Sequence, residues 1–131
     1  MLYTLKRTDE YNSMAKQVIN YVEKSGYEDV KADFSGYDSP AALTMVSQGI
    51  TLTPDFTAKR GDSKYYFELV VKTNDDKENS TLVSKWKALE SIAKMKGGSL
   101  NLFVPHGSYK FATSLLKDYN IEADLIKMSD L

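Results

Sequence analysis

The run Lys64-Tyr65-Tyr66-Phe67-Glu68-Leu69-Val70-Val71-Lys72 constrains this chain more than any other segment. Its aromatic and β-branched residues favour a strand, yet it carries a carboxylate, Glu68, at its centre. Alternate side chains of a strand share a face and stand about 6.6 Å apart along it, so Lys64, Tyr66, Glu68, Val70 and Lys72 point one way and Tyr65, Phe67, Leu69 and Val71 the other. A carboxylate on so apolar a strand is costly to bury unless something charged or hydrogen-bonding faces it. Upstream, Arg60-Gly61-Asp62-Ser63 supplies a turn, and Ile50 to Arg60 reads as extended chain broken by Pro54. Asp55 then falls on the antiparallel neighbour of the Glu68 strand. Two adjacent carboxylates repel each other unless a cation lies between them. Oxygen donors of this kind suit Mg²⁺ or Mn²⁺.

Composition narrows the chemistry further. The 131 residues fit one domain, 1–131, and the apolar share of 42% with 27% charged residues is that of an ordinary soluble chain. With no Cys and a single His, thiol nucleophiles, disulfides and Cys- or His-rich metal clusters are excluded, so a metal must rest mainly on oxygen. No apolar run approaches the roughly 20 residues of a membrane span. The Met1-to-Asp9 stretch lacks the apolar segment of a secretory signal, and the expectation is a cytoplasmic protein without a membrane partner. A net charge of −1 argues against a surface that is basic all over. The charge is nonetheless uneven: residues 1–58 carry five Lys/Arg against eight Asp/Glu, and residues 59–96 carry nine against six. The basic excess surrounds the acid hairpin, where phosphates would otherwise be repelled; a solvated helix face gives the same count.

Along the chain the elements alternate without repeat or linker. A helix is expected from about Thr8 to Lys24, with Tyr11, Met14, Ala15, Val18, Ile19 and Val22 forming its buried stripe. Tyr27 to Phe34 alternates as a first strand. Ser39-Pro40 and Gly49 read as the start and stop of a short helix over Pro40 to Gln48. Ser80 reads as the cap of a long helix ending at Gly97-Gly98, with Leu82, Val83, Trp86, Leu89, Ile92 and Ala93 inward. Leu100 to Val104 gives a buried strand, Ser108 a cap for a helix to about Tyr119, and Ile121 to Ile126 a last strand. A strand–helix–strand passage favours parallel pairing, whereas the close connection across Gly61 favours an antiparallel one. The expected architecture is α/β, a mixed four- to five-stranded sheet flanked by helices.

Thr53-Pro54-Asp55-Phe56, followed on the next strand by Glu68-Leu69-Val70, resembles the PD-(D/E)XK nuclease superfamily, whose motif sets an Asp on one strand and an acid, any residue and a Lys on its neighbour. The order αβββαβ of that superfamily is met from the first helix through Val104, with one helix and strand added. The resemblance implies a restriction endonuclease-like fold and a divalent-metal-dependent nuclease acting on DNA, with Asp55 and Glu68 as metal ligands, the Leu69 carbonyl as a third donor and Glu10 as the acid some members carry on the first helix. It also implies Mg²⁺ or Mn²⁺ as cofactor, and a homodimer where both strands are cut. Val70 departs from the pattern, because it stands where the superfamily has its Lys. Lys85 on the following helix is the preferred replacement, with Lys87 beside it, and Lys72 is second.

The residues leave blander readings open. Glu68 pairs with Lys64, Lys72 or a helix lysine; Asp55 caps local backbone amides; Glu10 complements a helix dipole. The corresponding functional alternative is a catalytically degenerate module that binds nucleic acid or a protein partner without cutting.

Overall fold

Tyr11, Ala15, Val18, Ile19 and Val22 recur at helical spacing, and the helix they define, α1 (Asp9–Lys24), buries all five against one face of a β-sheet. The computed structural model describes residues 9–32, 34, 36–45, 49–72 and 74–131, and the side chains of Glu10, Met45 and Ile50 are not among what is described. The elements that follow α1 are β1 (Glu28–Ala32), β2 (Leu43–Met45), β3 (Ile50–Leu52), β4 (Phe56–Arg60), β5 (Ser63–Leu69), α2 (Asp76–Met95), β6 (Leu100–Val104), α3 (Tyr109–Asp118) and β7 (Asp124–Lys127), with a 3₁₀ turn over Met128–Asp130.

The main sheet has the strand order β1-β4-β5-β6-β7. Strands β1, β4 and β5 pair antiparallel, and β5, β6 and β7 pair parallel, so the sheet is mixed as the connections require. The two helical crossovers, α2 and α3, lie on the face opposite α1. Tyr66, Leu100, Leu102 and Val104 point into an apolar layer with Trp86 and Leu89 of α2 and Ala112 of α3, whereas Phe56, Ala58, Phe67 and Phe103 meet α1. Every residue of β6 is buried, as befits a central parallel strand covered on both faces.

Two expectations are corrected and a third is extended. The segment expected as a helix over Pro40 to Gln48 contains β2 instead, which pairs with β3 as a separate two-stranded ribbon through Leu43↔Leu52, Thr44↔Thr51 and Met45↔Ile50. Leu43 and Leu52, directly opposite each other, pack onto the α2 layer. Gly49, with φ +64, thus precedes the second strand of a hairpin. The extended run before the Gly61 turn is broken at Pro54 as expected, and the break divides it into β3 and β4, which belong to different sheets. The long helix starts about a turn before Ser80: Asp75 is its N-cap, and the Asp75 carboxylate accepts from the Lys77 and Glu78 amides at 2.8 and 3.2 Å. The expected cap of the first helix, Thr8, lies outside the described residues.

At the far end of α2, Gly98 lets the chain turn beneath the β4–β5 hairpin. A Cβ built there would collide with the Lys64 carbonyl, a backbone atom of a residue whose amide is held by the Lys96 carbonyl. Gly61, in contrast, faces open space and needs only its positive φ of +62. Gly98→Ala is therefore expected to cost about 2 kcal/mol or more by forcing backbone to shift, and Gly61→Ala about 1 kcal/mol from backbone conformation alone. Urea unfolding of the two variants checks the order, which would be reversed if the Gly98 turn were loosely packed.

Candidate functional site

The register of the hairpin decides what Glu68 meets. Phe56 pairs with Phe67, so Asp55, one residue before β4, falls level with Glu68. Each carboxylate then accepts a backbone amide from across the hairpin, Glu68 from Asp55 and Asp55 from Leu69. The Asp55 amide donates to Glu68 Oε2 at 2.7 Å, and the Leu69 amide donates to Asp55 Oδ2 at 3.0 Å. Pro54, buried just before Asp55, fixes the approach of the chain. Each carboxylate spends one oxygen on this reciprocal clamp and has the other left over.

Both remaining oxygens face one cation. Lys85 reaches down from α2 with its Nζ 3.0 Å from Glu68 Oε1 and 3.8 Å from Asp55 Oδ1. The side chain of Glu68 is 3% exposed, that of Asp55 13% and that of Lys85 24%, so the site is buried at its base and reached from solvent past the lysine. Burial pushes the Glu68 carboxyl up to about 8, and the negative charge of Asp55 pushes in the same direction; Lys85 and the Asp55 amide pull against them.

The other expected residues are distributed differently. Val70 is buried in the α2-side layer, and its amide donates to the Phe103 carbonyl at 2.9 Å. A lysine there would be rooted in packed core, while the α2 position of Lys85 brings an ammonium in from above. Lys72 is not brought to the acids: β5 ends at Leu69, the alternation ends with it, and both Lys72 and Val71 are exposed, Val71 by 58% although alternation grouped it with Phe67 and Leu69, which are buried. Lys87 is exposed on α2. Leu69 enters the site through its amide, which is bound to Asp55. The Glu10 side chain lies outside the described residues. His106 is exposed in the loop after β6, and Trp86 is core, with no exposed surface.

The donor chemistry fits a divalent cation. Asp55 Oδ1 and Glu68 Oε1 converge on a point already held by a positive charge, and Mg²⁺ in phosphate-handling sites is commonly bound through one or two carboxylates, with water and substrate completing its shell. Among the described residues no group of three or more His, Asp or Glu gathers as a closed metal cage. Sequence reasoning missed the two amides that brace the acids. Every residue carries an N–H, so only the strand register, which is a non-local property, could have revealed them.

No family model matches this chain, and no curated protein matches it. Among solved structures it is similar to the protein of unknown function AF1548, with a TM-score of 0.51 and 16% identity. The similarity covers 91% of this chain and 58% of that one, so this chain spans little more than half of its neighbour's length. Likeness at this identity concerns the fold.

The raised Glu68 carboxyl carries a signed consequence for stability. An unfolded Glu loses its proton near 4.5, whereas the folded one keeps it to about 8. Between those values the folded state holds more protons, and stability contributed by Glu68 falls as pH rises, with a slope bounded by about 1.4 kcal/mol per pH unit. Glu68→Gln removes that dependence. Urea unfolding at pH 5, 6.5 and 8 should show wild type losing stability relative to Glu68→Gln with rising pH; a relative gain would mean that the carboxylate form is favoured by its surroundings.

Proposed function

We propose that this protein is a divalent-metal-dependent nuclease that hydrolyses phosphodiester bonds in DNA, with Asp55 and Glu68 as metal ligands and Lys85 as the displaced lysine of a restriction endonuclease-like site. The observation that carries the reading is the convergence of one oxygen from each acid and the Lys85 ammonium on a single point, at distances of 3.0 and 3.8 Å. The order α1-β1-β4-β5-α2-β6 supports it as well, since it is the αβββαβ series with the β2–β3 ribbon inserted.

The chain's own residues divide the work. The Asp55 and Leu69 amides hold the two carboxylates in register, so their outward oxygens are positioned before anything binds. The Leu69 carbonyl is the third oxygen donor. A bound Mg²⁺ or Mn²⁺ would supply Lewis acidity toward the scissile phosphate and lower the pKa of an attacking water. Lys85, on a four-carbon stem and partly solvent-accessible, supplies positive charge where the phosphate oxygens gain negative charge. Val70, being apolar, contributes only packing.

One observation favours a second reading. The Lys85 ammonium bridges both carboxylates and offsets part of their charge without a metal, which would suit a degenerate module that binds nucleic acid or a protein partner without cutting.

Calorimetry with Mn²⁺ and cleavage assays on linear, branched and single-stranded DNA test the choice. The nuclease reading expects Asp55→Ala to lose both Mn²⁺ binding and cleavage. It expects Lys85→Met to keep Mn²⁺ binding while cleavage falls by about 100-fold or more, the scale of losing one charge-stabilising group. DNA bound equally well with chelator, and never cut, would establish the second reading.

A further inference from the structure

The β4–β5 hairpin carries its acids at one end and lysines at the other. Lys59 of β4 lies directly opposite Lys64 of β5, a like-charged cross-strand pair. Cross-strand partners share a face. By the same register Lys31 of β1 pairs with Thr57, and Thr57 with Tyr66, which sets Lys31 diagonally beside that pair on the face that α2 covers. Lys96, which follows the last turn of α2, closes the group: its carbonyl accepts the Lys64 amide at 3.2 Å.

Like charges directly opposite on a sheet destabilise it. Here the repulsion reaches Lys64 from three sides: desolvation first, then Lys31, Lys96 and Lys59, lower its tendency to hold a proton, with only Asp29 acting against them. The carboxylates nearby are Asp29, 3.9 Å from Lys59 with both side chains about half exposed, and Glu28, opposite Lys59 on β1. They leave the four lysines in excess. Arg60, at the tip of β4, is committed to structure: its guanidinium stacks 3.9 Å over the Tyr27 ring and donates to the Ser25 carbonyl at 2.8 Å. A place where the fold tolerates an unfavourable charge arrangement is a candidate for use.

We infer that Lys31, Lys59, Lys64 and Lys96 form a docking surface for the phosphate backbone of a nucleic acid. The occupant follows from the chemistry. Four ammonium groups with no free guanidinium fork in the group offer point charges suited to successive phosphates and no bidentate reading of bases. The surface lies two register rows from the acid pair, about 13 Å along β5, so it holds the strand away from the point of cutting. It rests on the nuclease reading only in taking the polyanion to be nucleic acid.

The test is fluorescence anisotropy of a labelled DNA duplex with EDTA present throughout, over a series of NaCl concentrations, using the full chain. Lys59→Gln/Lys64→Gln is compared with Lys16→Gln/Lys117→Gln, which removes the same charge from exposed positions on α1 and α3. The expected result is binding weakened about tenfold or more in the first variant, with its salt slope flatter by about 1 per lysine, and little change in the second. Because the substitution relieves a repulsion, the first variant should unfold at no lower temperature than wild type, which separates lost contact from lost fold. Equal losses in both variants, no loss in the first, or no DNA binding by wild type would each overturn the inference. Metal is absent from the assay, so failure of Asp55 and Glu68 to hold Mn²⁺ would leave these results unchanged and is read separately by calorimetry.

Discussion

Glu68 is the group around which the remaining elements have to be arranged. A carboxylate with 2% of its surface exposed, on a strand otherwise aromatic and aliphatic, is tolerated only where donors meet both oxygens. One donor comes from the strand partner, through the Asp55 amide, and fixes where β4 begins relative to β5. The other comes from Lys85 and ties the middle of α2 to the end of β5. A register slip of one residue would turn Glu68 toward the apolar α1 layer, where Phe67 and Leu69 now pack. The acid therefore specifies the pairing at the same time as it draws Lys85 to the end of the sheet.

Much of this was legible in the sequence, for identifiable reasons. The β5 run, the stripes of the first and the long helix and the mixed order of strands follow from local periodicity, which is strong at Tyr65 to Leu69 and at Val83, Trp86 and Leu89. Lys85 was legible as a candidate because the helix after the acid strand must cross back over it in a right-handed connection. The failures have a common cause. Ser39-Pro40 and Gly49 fit a helix boundary locally, but Leu43 and Leu52 gain more by pairing across a ribbon and covering the α2 layer, a contact local spacing does not encode. Ser80 is a good cap, yet Asp75 caps a turn earlier and adds more helix. Val71 shared a face with Phe67 and Leu69 by alternation, and the β5–β6 ladder ends just before it, at the Val70 amide. At the site itself Glu68 does pair with a helix lysine, whereas the amide that Asp55 accepts from belongs to the neighbouring strand and not to its own turn; those same contacts leave two oxygens converging.

Charge gives the hairpin a direction. Negative groups gather at the Asp55–Glu68 end beneath a single lysine, and positive groups gather at the Lys59–Lys64 end. The net charge of −1 conceals this, since the average over 131 residues cancels what the two ends separate. Among the described residues no helix is long and apolar enough to cross a membrane. The fold shared with AF1548 sets these two ends on one sheet but assigns neither a task. Function here has to be argued from the oxygens and ammonium groups themselves.

The central claim is that Asp55 and Glu68 together bind a divalent cation, and paramagnetic broadening by Mn²⁺ in the ¹H–¹⁵N spectrum tests it most directly because it locates the ion. Broadening of the Asp55, Glu68 and Leu69 amides first, spreading to Lys85, is the result this account predicts. Broadening centred on the exposed carboxylates Glu122 and Asp124, or spread evenly over the acidic surface, would contradict it.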